Sequence, residues 1–534
     1  MEPERVREMM FQATTLMASL MAAIIVVRWG WNMMKWLWLN PKRMERMLRD
    51  QGLQANPYRF WIGDLWEMVK MQEQVKSLPI PSHHSHDLAP RVLSFVHHIA
   101  NKYGKNSFIW FGPTPRVILR NPEQVKEMLN RNYDFTKRQV NPLIKYLGSG
   151  LGTYDGDKWT KHRKIINPAF NFDRLKNMMP AFTQSCIDMI REWEKMMSPL
   201  DGTCELDVWP WLKNLTENVI SRAAFGSSYE EGKQIFDLLA EQAELVMSNF
   251  QRYHIPLWRF IHAKDKRRME EIDKMVDDLL KGIIMKKKEE AVMKKVGGDE
   301  VIIKNDLLSI LLESNHHKEV DESLGMSLQE VIKECKAFYV GGQETTSVLL
   351  VWTMMLLGKY PDWQTRAREE VFQVFGNQKP DYGGLNRLKI VTMILYEVLR
   401  LYPPAVWMER SAEKDMKLGN LLVPKGVQLV IPTLMIHHDQ EIWGSDAKEF
   451  KPERFSEGIS KAGKGNCVAY FPFGRGPRIC IGQNFSLLQA KTALSLILQC
   501  FWFELSPSYS HSPSVLLTLQ PDHGVHLILH KLKQ

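Results

Sequence analysis

The chain has 534 residues, 44% of them hydrophobic, and a formal net charge of +9. A chain of this length can bury a large core, and no repeat or Pro/Gly/Ser-rich linker divides it, which predicts one large domain. Lys and Arg are spread along the chain and no aromatic-studded basic module is present, which argues against a nucleic-acid-binding function. The charge better suits an anionic membrane surface or an acidic protein partner. The six cysteines form no CxxC pair, so we expect no disulfide framework and maturation in the reducing cytosol.

An apolar segment lies near the N-terminus. Residues 9–27 carry no formal charge, and a helix of this length would reach about 28 Å, enough to cross a bilayer once. Arg28 and Trp29 follow it instead of a small-residue cleavage site, which favours an uncleaved anchor over a signal peptide. Lys and Arg are more frequent on its C-terminal side, so the body is expected in the cytosol. We predict an anchor over 1–28, an interfacial linker over 29–60 and a catalytic domain over 61–534.

The body is predicted to be mainly α-helical with minor β-structure. Residues 107–111 and 116–120 flank Gly112-Pro113 and predict a β-hairpin. Strands are also expected within 418–431 and in the C-terminal runs 501–505, 516–520 and 526–530. Most other segments show helical periodicity. The lysine-rich stretch over 286–298 is interpreted as a solvated loop or helix end and is assigned no chemistry.

The longest predicted helix begins at a capping box formed by Ser327 and Glu330 and ends before Pro361. It contains Gly341-Gly342, and each glycine costs a helix about 1 kcal/mol relative to alanine. The glycines therefore indicate a packing or ligand requirement. Next to them, Glu344 and Thr345 supply a carboxylate and a hydroxyl that could relay protons to bound oxygen. A helix crossing lined by small residues is the alternative explanation.

Residues 473–482 (FGRGPRICIG) carry the most information in the chain. They present one cysteine, Cys480, in a loop with three glycines and flanking arginines, directly before a helical stretch. Glycines let backbone amides approach the sulfur, and a helix N-terminus compensates negative charge, so the pattern predicts a thiolate that holds a haem. A lone cysteine is otherwise most often a small buried hydrophobe.

This string resembles the haem-binding signature of the cytochrome P-450 haem-thiolate monooxygenases, and the other motifs follow in the order typical of that superfamily. The resemblance implies the cytochrome P-450 fold, haem b as cofactor and Cys480 as the ligand of its iron. Phe473 and Gly482 belong to the cysteine loop. Side chains that resemble the propionate-binding groups of the superfamily are Trp159, Arg163, Arg410 and Arg478.

A buried structural triad is also implied. Glu397 and Arg400 lie three residues apart on one helix face, and Arg454 follows in the stretch 450–458 (FKPERFSEG). The arrangement is similar to the Glu–Arg–Arg triad of the superfamily, which holds the core beneath the haem. Together with the stretches 334–339 and 400–404, it looks like the plant family seventy-two, whose members oxidise terpenoids and related hormones.

The implied chemistry is activation of O2 at haem iron and oxidation of an unactivated C–H bond, with Glu344 and Thr345 as the catalytic residues. The resemblance also implies electrons from NADPH-cytochrome P-450 reductase. No dinucleotide fingerprint occurs in the chain, so NADPH itself is expected to bind elsewhere. The expected setting is the endoplasmic reticulum membrane, with one span and the catalytic domain in the cytosol. The expected substrate is small and apolar, a terpenoid of unspecified skeleton, and the expected pocket residues are Phe338, Ala405, Val406, Trp407, Met408 and Val515.

Two alternatives remain at the level of sequence. A haem-thiolate isomerase or dehydratase would act without external electrons. A membrane-anchored haem protein that only binds or carries electrons would have no use for a proton relay. Retention of Glu344 and Thr345 favours the monooxygenase over both.

Overall fold

The computed structural model describes residues 2–77, 86–137, 142–226, 229–250, 263–296, 306–320, 325–463 and 467–532. Helices dominate this part of the chain and strands are short, which confirms the predicted class of mainly α with minor β. The α-helices, in chain order, are α1 Glu2–Met34, α2 Asn40–Arg49, α3 Leu65–Ser77, α4 Ala89–Val92, α5 Ser94–Tyr103, α6 Pro122–Asn130, α7 Gly156–Ile166, α8 Phe172–Lys195, α9 Val208–Ile220, α10 Tyr229–Phe250, α11 Ala263–Val296, α12 Leu307–Val320, α13 Leu328–Lys359, α14 Pro361–Phe375, α15 Tyr382–Arg387, α16 Lys389–Leu401, α17 Thr433–His437, α18 Gln440–Trp443 and α19 Gln483–Cys500.

The strands form small sheets around the helical body. They are β1 Ser107–Phe111, β2 Thr114–Ile118, β3 Phe135–Thr136, β4 Thr203–Asp207, β5 Met408–Ala412, β6 Met416–Leu418, β7 Leu421–Val423, β8 Gln428–Ile431, β9 Phe501–Leu505, β10 Pro513–Val515, β11 Leu519–Pro521 and β12 His526–Lys531. The largest sheet has five strands in the order β1-β2-β8-β5-β3. The hairpin predicted from Gly112-Pro113 is its β1–β2 pair, which is antiparallel. The β2–β8 pair is parallel and the β5–β8 pair antiparallel.

The N-terminal helix α1 is exposed from Arg7 to Asn32 and continues through a π-helical segment, Lys35–Leu39, into α2. Within the described residues it is the one helix long and apolar enough to cross a membrane. The segment 29–60, predicted to be an interfacial linker, is mostly exposed up to Trp36 and packs on the body after that. From Leu37 onward it contributes core residues, including Leu48 and Leu53, and the Tyr58 hydroxyl donates to the Leu37 carbonyl at 2.7 Å. These contacts join α2 and the chain that follows it to the body.

Helix α13 is the central element of the body. Its 32 residues begin at the predicted capping box, because the Ser327 hydroxyl accepts from the Glu330 amide and the Glu330 carboxylate accepts from the Ser327 amide. It ends at Lys359, two residues before Pro361. At about 1.5 Å per residue it is about 48 Å long, enough to cross the domain. Its C-terminal half is buried almost continuously from Thr346 to Leu357, so this half lies in the core.

The lysine-rich stretch is helical where it is described, because α11 runs to Val296. Gly297 and Gly298 lie outside the described residues. The cysteines at 186, 204, 335, 480 and 500 are all free thiols, as the spacing of the cysteines predicted.

Removal of residues 1–28 is expected to release part of the protein from membranes while the haem spectrum stays unchanged, because every cofactor motif follows this segment. Release should be incomplete, since Trp31, Trp36, Phe60 and Trp66 remain exposed and aromatic rings partition to the membrane interface. Membrane fractionation with a reduced carbon-monoxide spectrum measures both effects. Loss of the spectrum in the truncated protein would contradict the assignment of 1–28 to an anchor alone.

Candidate functional site

The cysteine loop is closed by a backbone hydrogen bond between its ends, in which the Cys480 amide donates to the Phe473 carbonyl at 2.9 Å. Gly474 and Gly476 have φ angles of 73° and 72°, a left-handed conformation that side chains rarely adopt. A Cβ on Gly476 would also lie 2.6 Å from the carbonyl oxygen of Leu129. These two glycines are therefore required by the backbone path that presents Cys480.

The Cys480 thiol lies just before the N-terminus of α19, an 18-residue helix whose N-cap is Gly482. Burial is the largest influence on this thiol and raises its pKa, while the Gly482 amide and the charges of Arg163 and Lys137 oppose the increase. The thiol is enclosed by protein on most sides, yet its open face is accessible because it forms part of a cavity wall. A bound metal cation would deprotonate such a thiol, and the helix dipole and amide would then stabilise the thiolate.

The cavity has a volume of about 600 Å³ and is bounded by the cysteine loop, by α13 and by the segment that leads into β5. Its size is within the usual range for a ligand-binding pocket, roughly 300–1,000 Å³. Most of its surface is apolar. An accessible thiol in a mostly apolar cavity suits a large, flat, mostly apolar cofactor and an apolar substrate beside it.

Cations collect on one side of this cavity. Arg163, Arg410, Arg478 and Lys137 all contribute to its wall. Burial and the neighbouring Arg410 and Arg478 lower the pKa of Lys137 to about 7, and burial followed by Arg478 lowers the pKa of Arg410 to about 10. The Asp155 carboxylate is the nearby counter-charge, and it accepts from Arg478 Nη2 at 2.5 Å. Several cations with one carboxylate leave a positive excess, which favours a ligand with more than one negative group.

Arg478 is incompletely hydrogen-bonded although it is buried. Its Nη2 donates to the Tyr154 carbonyl and to Asp155, whereas Nε and Nη1 have no partner in the described part of the chain. Its guanidinium lies 4.5 Å from the centroid of the Trp159 ring. Buried guanidinium donors without acceptors are costly, so they indicate an anionic oxygen from a ligand. Arg163 also lies beside the loop, because its Nη1 donates to the Ile479 carbonyl at 2.9 Å.

Comparison with known proteins agrees with this geometry. The family model described as Cytochrome P450 matches residues 83–527. The chain belongs to the cytochrome P450 family. Members of this family are haem-dependent monooxygenases, and the orphaned donors of Arg478 together with the accessible Cys480 thiol fit the carboxylates and the iron of a haem.

Three plant relatives illustrate the similarity, which extends over nearly the whole chain. The chain is 55% identical over 524 residues to 11-oxo-beta-amyrin 30-oxidase of Glycyrrhiza uralensis, covering 97% of this chain and 98% of the relative. It is 54% identical over 510 residues to cytochrome P450 72A68 of Medicago truncatula, covering 95% and 96%. It is 50% identical over 511 residues to cytochrome P450 72A13 of Arabidopsis thaliana, covering 96% and 98%.

The two glycines of α13 have different roles in this P450. A Cβ on Gly342 would lie 2.3 Å from Cδ1 of Ile220, so a larger residue there would have to displace the Ile220 side chain of α9. A Cβ on Gly341 would meet no atom within 4 Å, because this residue faces the cavity. Gly342 therefore allows close packing of α9, and Gly341 leaves space for ligands.

Glu344 and Thr345, the predicted catalytic pair, point in different directions. Thr345 forms part of the cavity wall, and its hydroxyl donates to the Gly341 carbonyl at 2.7 Å. The Glu344 carboxylate is buried away from the wall, where it accepts from the Thr518 hydroxyl at 2.8 Å and from the Gln520 amide. In this conformation Glu344 connects α13 to β11. A proton relay from Glu344 to Thr345 requires that the carboxylate leave these two partners.

The three residues predicted as a structural triad lie together. Arg400 Nε and Nη2 each donate to the Glu397 carboxylate at 2.7 Å, and both side chains are fully buried. Arg454 Nε lies 3.4 Å from the same carboxylate, and its other nitrogens donate to the carbonyls of Trp443 and Asp446. The triad therefore ties α16 to the chain segments that precede the cysteine loop. Removing one partner of such a buried pair typically costs about 3–5 kcal/mol.

The predicted substrate pocket is present in part. Phe338, Ala405 and Met408 lie in the cavity wall, and the Phe338 ring stacks on Phe170 at 5.6 Å between centroids. Val406, Trp407 and Val515 are not among the described residues that line the cavity. Val406 is buried in the core and Trp407 packs against it. Trp407 lies immediately before β5, is partly buried and packs against the core cluster, so its indole is not part of the described cavity wall.

Several residues of the cavity wall were assigned no role in the site from the sequence. Lys137, Arg116, Glu409 and Glu334 come from segments far apart in sequence. One weak signal existed, because Arg116 interrupts an otherwise apolar strand. His162 Nδ1 lies 2.6 Å from the Glu334 carboxylate, and this buried contact joins α7 to α13.

Replacing Arg478 with Met is expected to lower the haem content of the purified protein. A charge-assisted hydrogen bond contributes about 1.5–3 kcal/mol, so haem retention should weaken roughly 10- to 100-fold. The haem-to-protein ratio during dilution into a haem-binding acceptor protein measures the effect. Arg268→Met serves as a control, because Arg268 pairs with Glu241 at an exposed site. Equal haem retention in both variants would contradict a propionate-binding role for Arg478.

Proposed function

We propose that the protein is a terpenoid-oxidising P450 of the endoplasmic reticulum membrane that takes electrons from NADPH-cytochrome P-450 reductase. The observation that carries this proposal is an accessible Cys480 in the wall of a large, mostly apolar cavity that α13 also lines. The cavity chemistry favours an apolar substrate. The relatives named 11-oxo-beta-amyrin 30-oxidase, from two plants, are 55% and 51% identical to this chain over 97% of its length, which points to a pentacyclic triterpene.

The cofactor in this proposal is haem b, with Cys480 as its iron ligand and its propionates at Arg478, Arg410, Arg163 and Lys137. Bound there, it would supply the activation of O2 and the oxidation of a C–H bond. The residues of the chain have separate tasks. The Gly482 amide stabilises the thiolate, and Trp159 supports the guanidinium of Arg478.

The proton path is assigned to α13. The Thr345 hydroxyl is a polar group of this helix in the cavity wall, and rotation about its Cα–Cβ bond would release it from the Gly341 carbonyl. Glu344 is the proton source when its carboxylate leaves Thr518 and Gln520. The remaining apolar wall excludes bulk water from the reacting atoms.

The orientation in the membrane follows from charge. The flank after the apolar segment holds Arg28, Lys35, Lys42 and Arg43, whereas the flank before it holds Arg5 and Arg7. Basic residues tend to stay on the cytoplasmic side, which supports a catalytic domain in the cytosol, where the reductase can reach it. Residues 1–28 serve as the single-pass anchor.

Turnover of a terpenoid panel tests the substrate class. Full-length protein in microsomes with reductase and NADPH should oxygenate pentacyclic triterpenes, identified by mass spectrometry, and Cys480→Ser should give no product, since a serine hydroxyl is a poor iron ligand. Oxidation of smaller terpenes alone would overturn the triterpene assignment. Product formation without reductase and NADPH would instead support a haem-thiolate isomerase or dehydratase.

Thr345→Ala is expected to divert electrons to hydrogen peroxide, because the hydroxyl that relays protons is lost. Removing such a proton-transfer group costs roughly 10²-fold or more in the assisted step, and the ratio of product to NADPH consumed measures it. Thr345→Ser should restore most of the ratio. Thr353→Ala is the matched control, because Thr353 makes the same bond, to the Leu349 carbonyl at 2.6 Å, within the buried core. Equal ratios for Thr345→Ala and Thr353→Ala would show that Thr345 serves only in packing.

A further inference from the structure

A buried ion pair lies in the cavity wall outside the cofactor residues. Arg116 is on β2 and Glu409 on β5, and β8 lies between them, pairing Arg116 with Gln428 and Glu409 with Val430. The Arg116 Nη1 donates to the Glu409 carboxylate at 2.8 Å. Both side chains contribute to the cavity wall, with 2% of the Arg116 side chain and 31% of the Glu409 side chain exposed.

The pair is not needed to hold the sheet together. Strand β8 already joins β2 and β5 by backbone hydrogen bonds. Replacing a buried ion pair with apolar residues is often neutral or stabilising, because two charges lose their hydration on burial. Arg116 carries part of this cost, since its Nε has no hydrogen-bond partner among the described residues. Because such a pair is costly in an apolar wall, its presence indicates a ligand that forms hydrogen bonds with it.

The pair is also separate from the haem propionate residues. Glu409 and Arg410 are consecutive in β5 and both belong to the cavity wall, but their charged neighbours differ. Arg410 belongs to the cationic side of the cavity with Arg478, whereas the charge of Arg116 is matched by Glu409. Arg116 lies 3.6 Å from the centroid of the Phe111 ring, which contacts Phe250 at the end of α10. The pair thus occupies the part of the wall nearest to α10.

We propose that Arg116 and Glu409 bind a neutral oxygen substituent of the substrate, a hydroxyl or a ketone, and so determine which carbon faces the haem. The pair offers a guanidinium donor and a carboxylate acceptor, which match a hydroxyl in both directions and a ketone in one. A substrate carboxylate is disfavoured, because Glu409 already neutralises Arg116 and would repel a second anion. This inference rests on the proposed function, since it assumes an apolar substrate in this cavity.

Paired ligands test the subsite. The probes are β-amyrin, which has a hydroxyl, and olean-12-ene, the same ring system without oxygen. Each is titrated at equal lipid mole fraction into the full-length holoenzyme in nanodiscs, and the haem absorbance shift gives the Kd. Wild type should bind the alcohol at least about 10-fold more tightly, because a site built for a hydrogen bond rejects an analogue that lacks the group. The double variant Arg116→Met/Glu409→Met should reduce this ratio to within about 3-fold.

The double variant keeps the wall apolar and leaves neither charge unpaired, so it should retain its fold and haem, which the reduced carbon-monoxide spectrum reports. Arg366→Met is the control, because Arg366 is half-exposed on α14 and lies 3.7 Å from Glu453; its ratio should equal that of wild type. The double variant should also give a mixture of oxidation positions where wild type gives one, since orientation controls the reacting geometry.

The outcomes distinguish a failure of the proposed subsite from a failure of the proposed function. A wild type that binds both probes equally, or a folded double variant that keeps the wild-type ratio, overturns the subsite and leaves the terpenoid function in place. A double variant that loses its haem shows that the pair is structural and overturns the subsite as well. A wild type that binds neither probe overturns both the subsite and the triterpene assignment.

Discussion

The rest of the site depends on keeping a negatively charged sulfur inside an apolar cavity. Burial by itself raises the pKa of Cys480 and disfavours the thiolate. The fold opposes this with the Gly482 amide, the N-terminus of α19 and the cations Arg163 and Lys137. The left-handed glycines of the loop exist because only that backbone path brings these groups to the sulfur without blocking its open face. The loop sequence thus reflects the need to stabilise a buried negative charge.

Helix α13 connects this charge requirement to the substrate space. Its buried C-terminal half is held by packing, and its central residues form part of the cavity wall. Gly342 lets α9 approach while Gly341 leaves room for ligands. The Glu344 carboxylate, held by Thr518 and Gln520, links the proton-relay region to the C-terminal hairpin of β10 and β11. In the proposed relay, a change at that hairpin would therefore alter proton delivery through a residue that does not face the cavity.

The polar groups of the cavity fall into two sets with different charge balance. The cofactor side has several cations and one nearby carboxylate, Asp155, a combination that suits anionic propionates. The Arg116–Glu409 pair is balanced and suits a neutral oxygen. An apolar molecule with one oxygen function can only satisfy the second set, because the first is already committed to the cofactor in a loaded enzyme. Charge balance thus separates cofactor binding from substrate orientation within a single chamber.

The sequence by itself determined the features that depend on local chemistry. The cysteine loop, the capping box of α13 and the β1–β2 hairpin are encoded by residues close together in the chain, so their spacing was sufficient to predict them. The resemblance of its motifs to those of a known superfamily supplied the family and the triad, whose Glu397, Arg400 and Arg454 the structure brings together. Tertiary structure alone decided which side chains share the cavity. Lys137, Arg116 and Glu409 meet there because sheet and helix packing join distant segments. Trp407 packs against the core and not in the cavity wall, because the direction of a side chain depends on backbone orientation, which residue spacing does not specify.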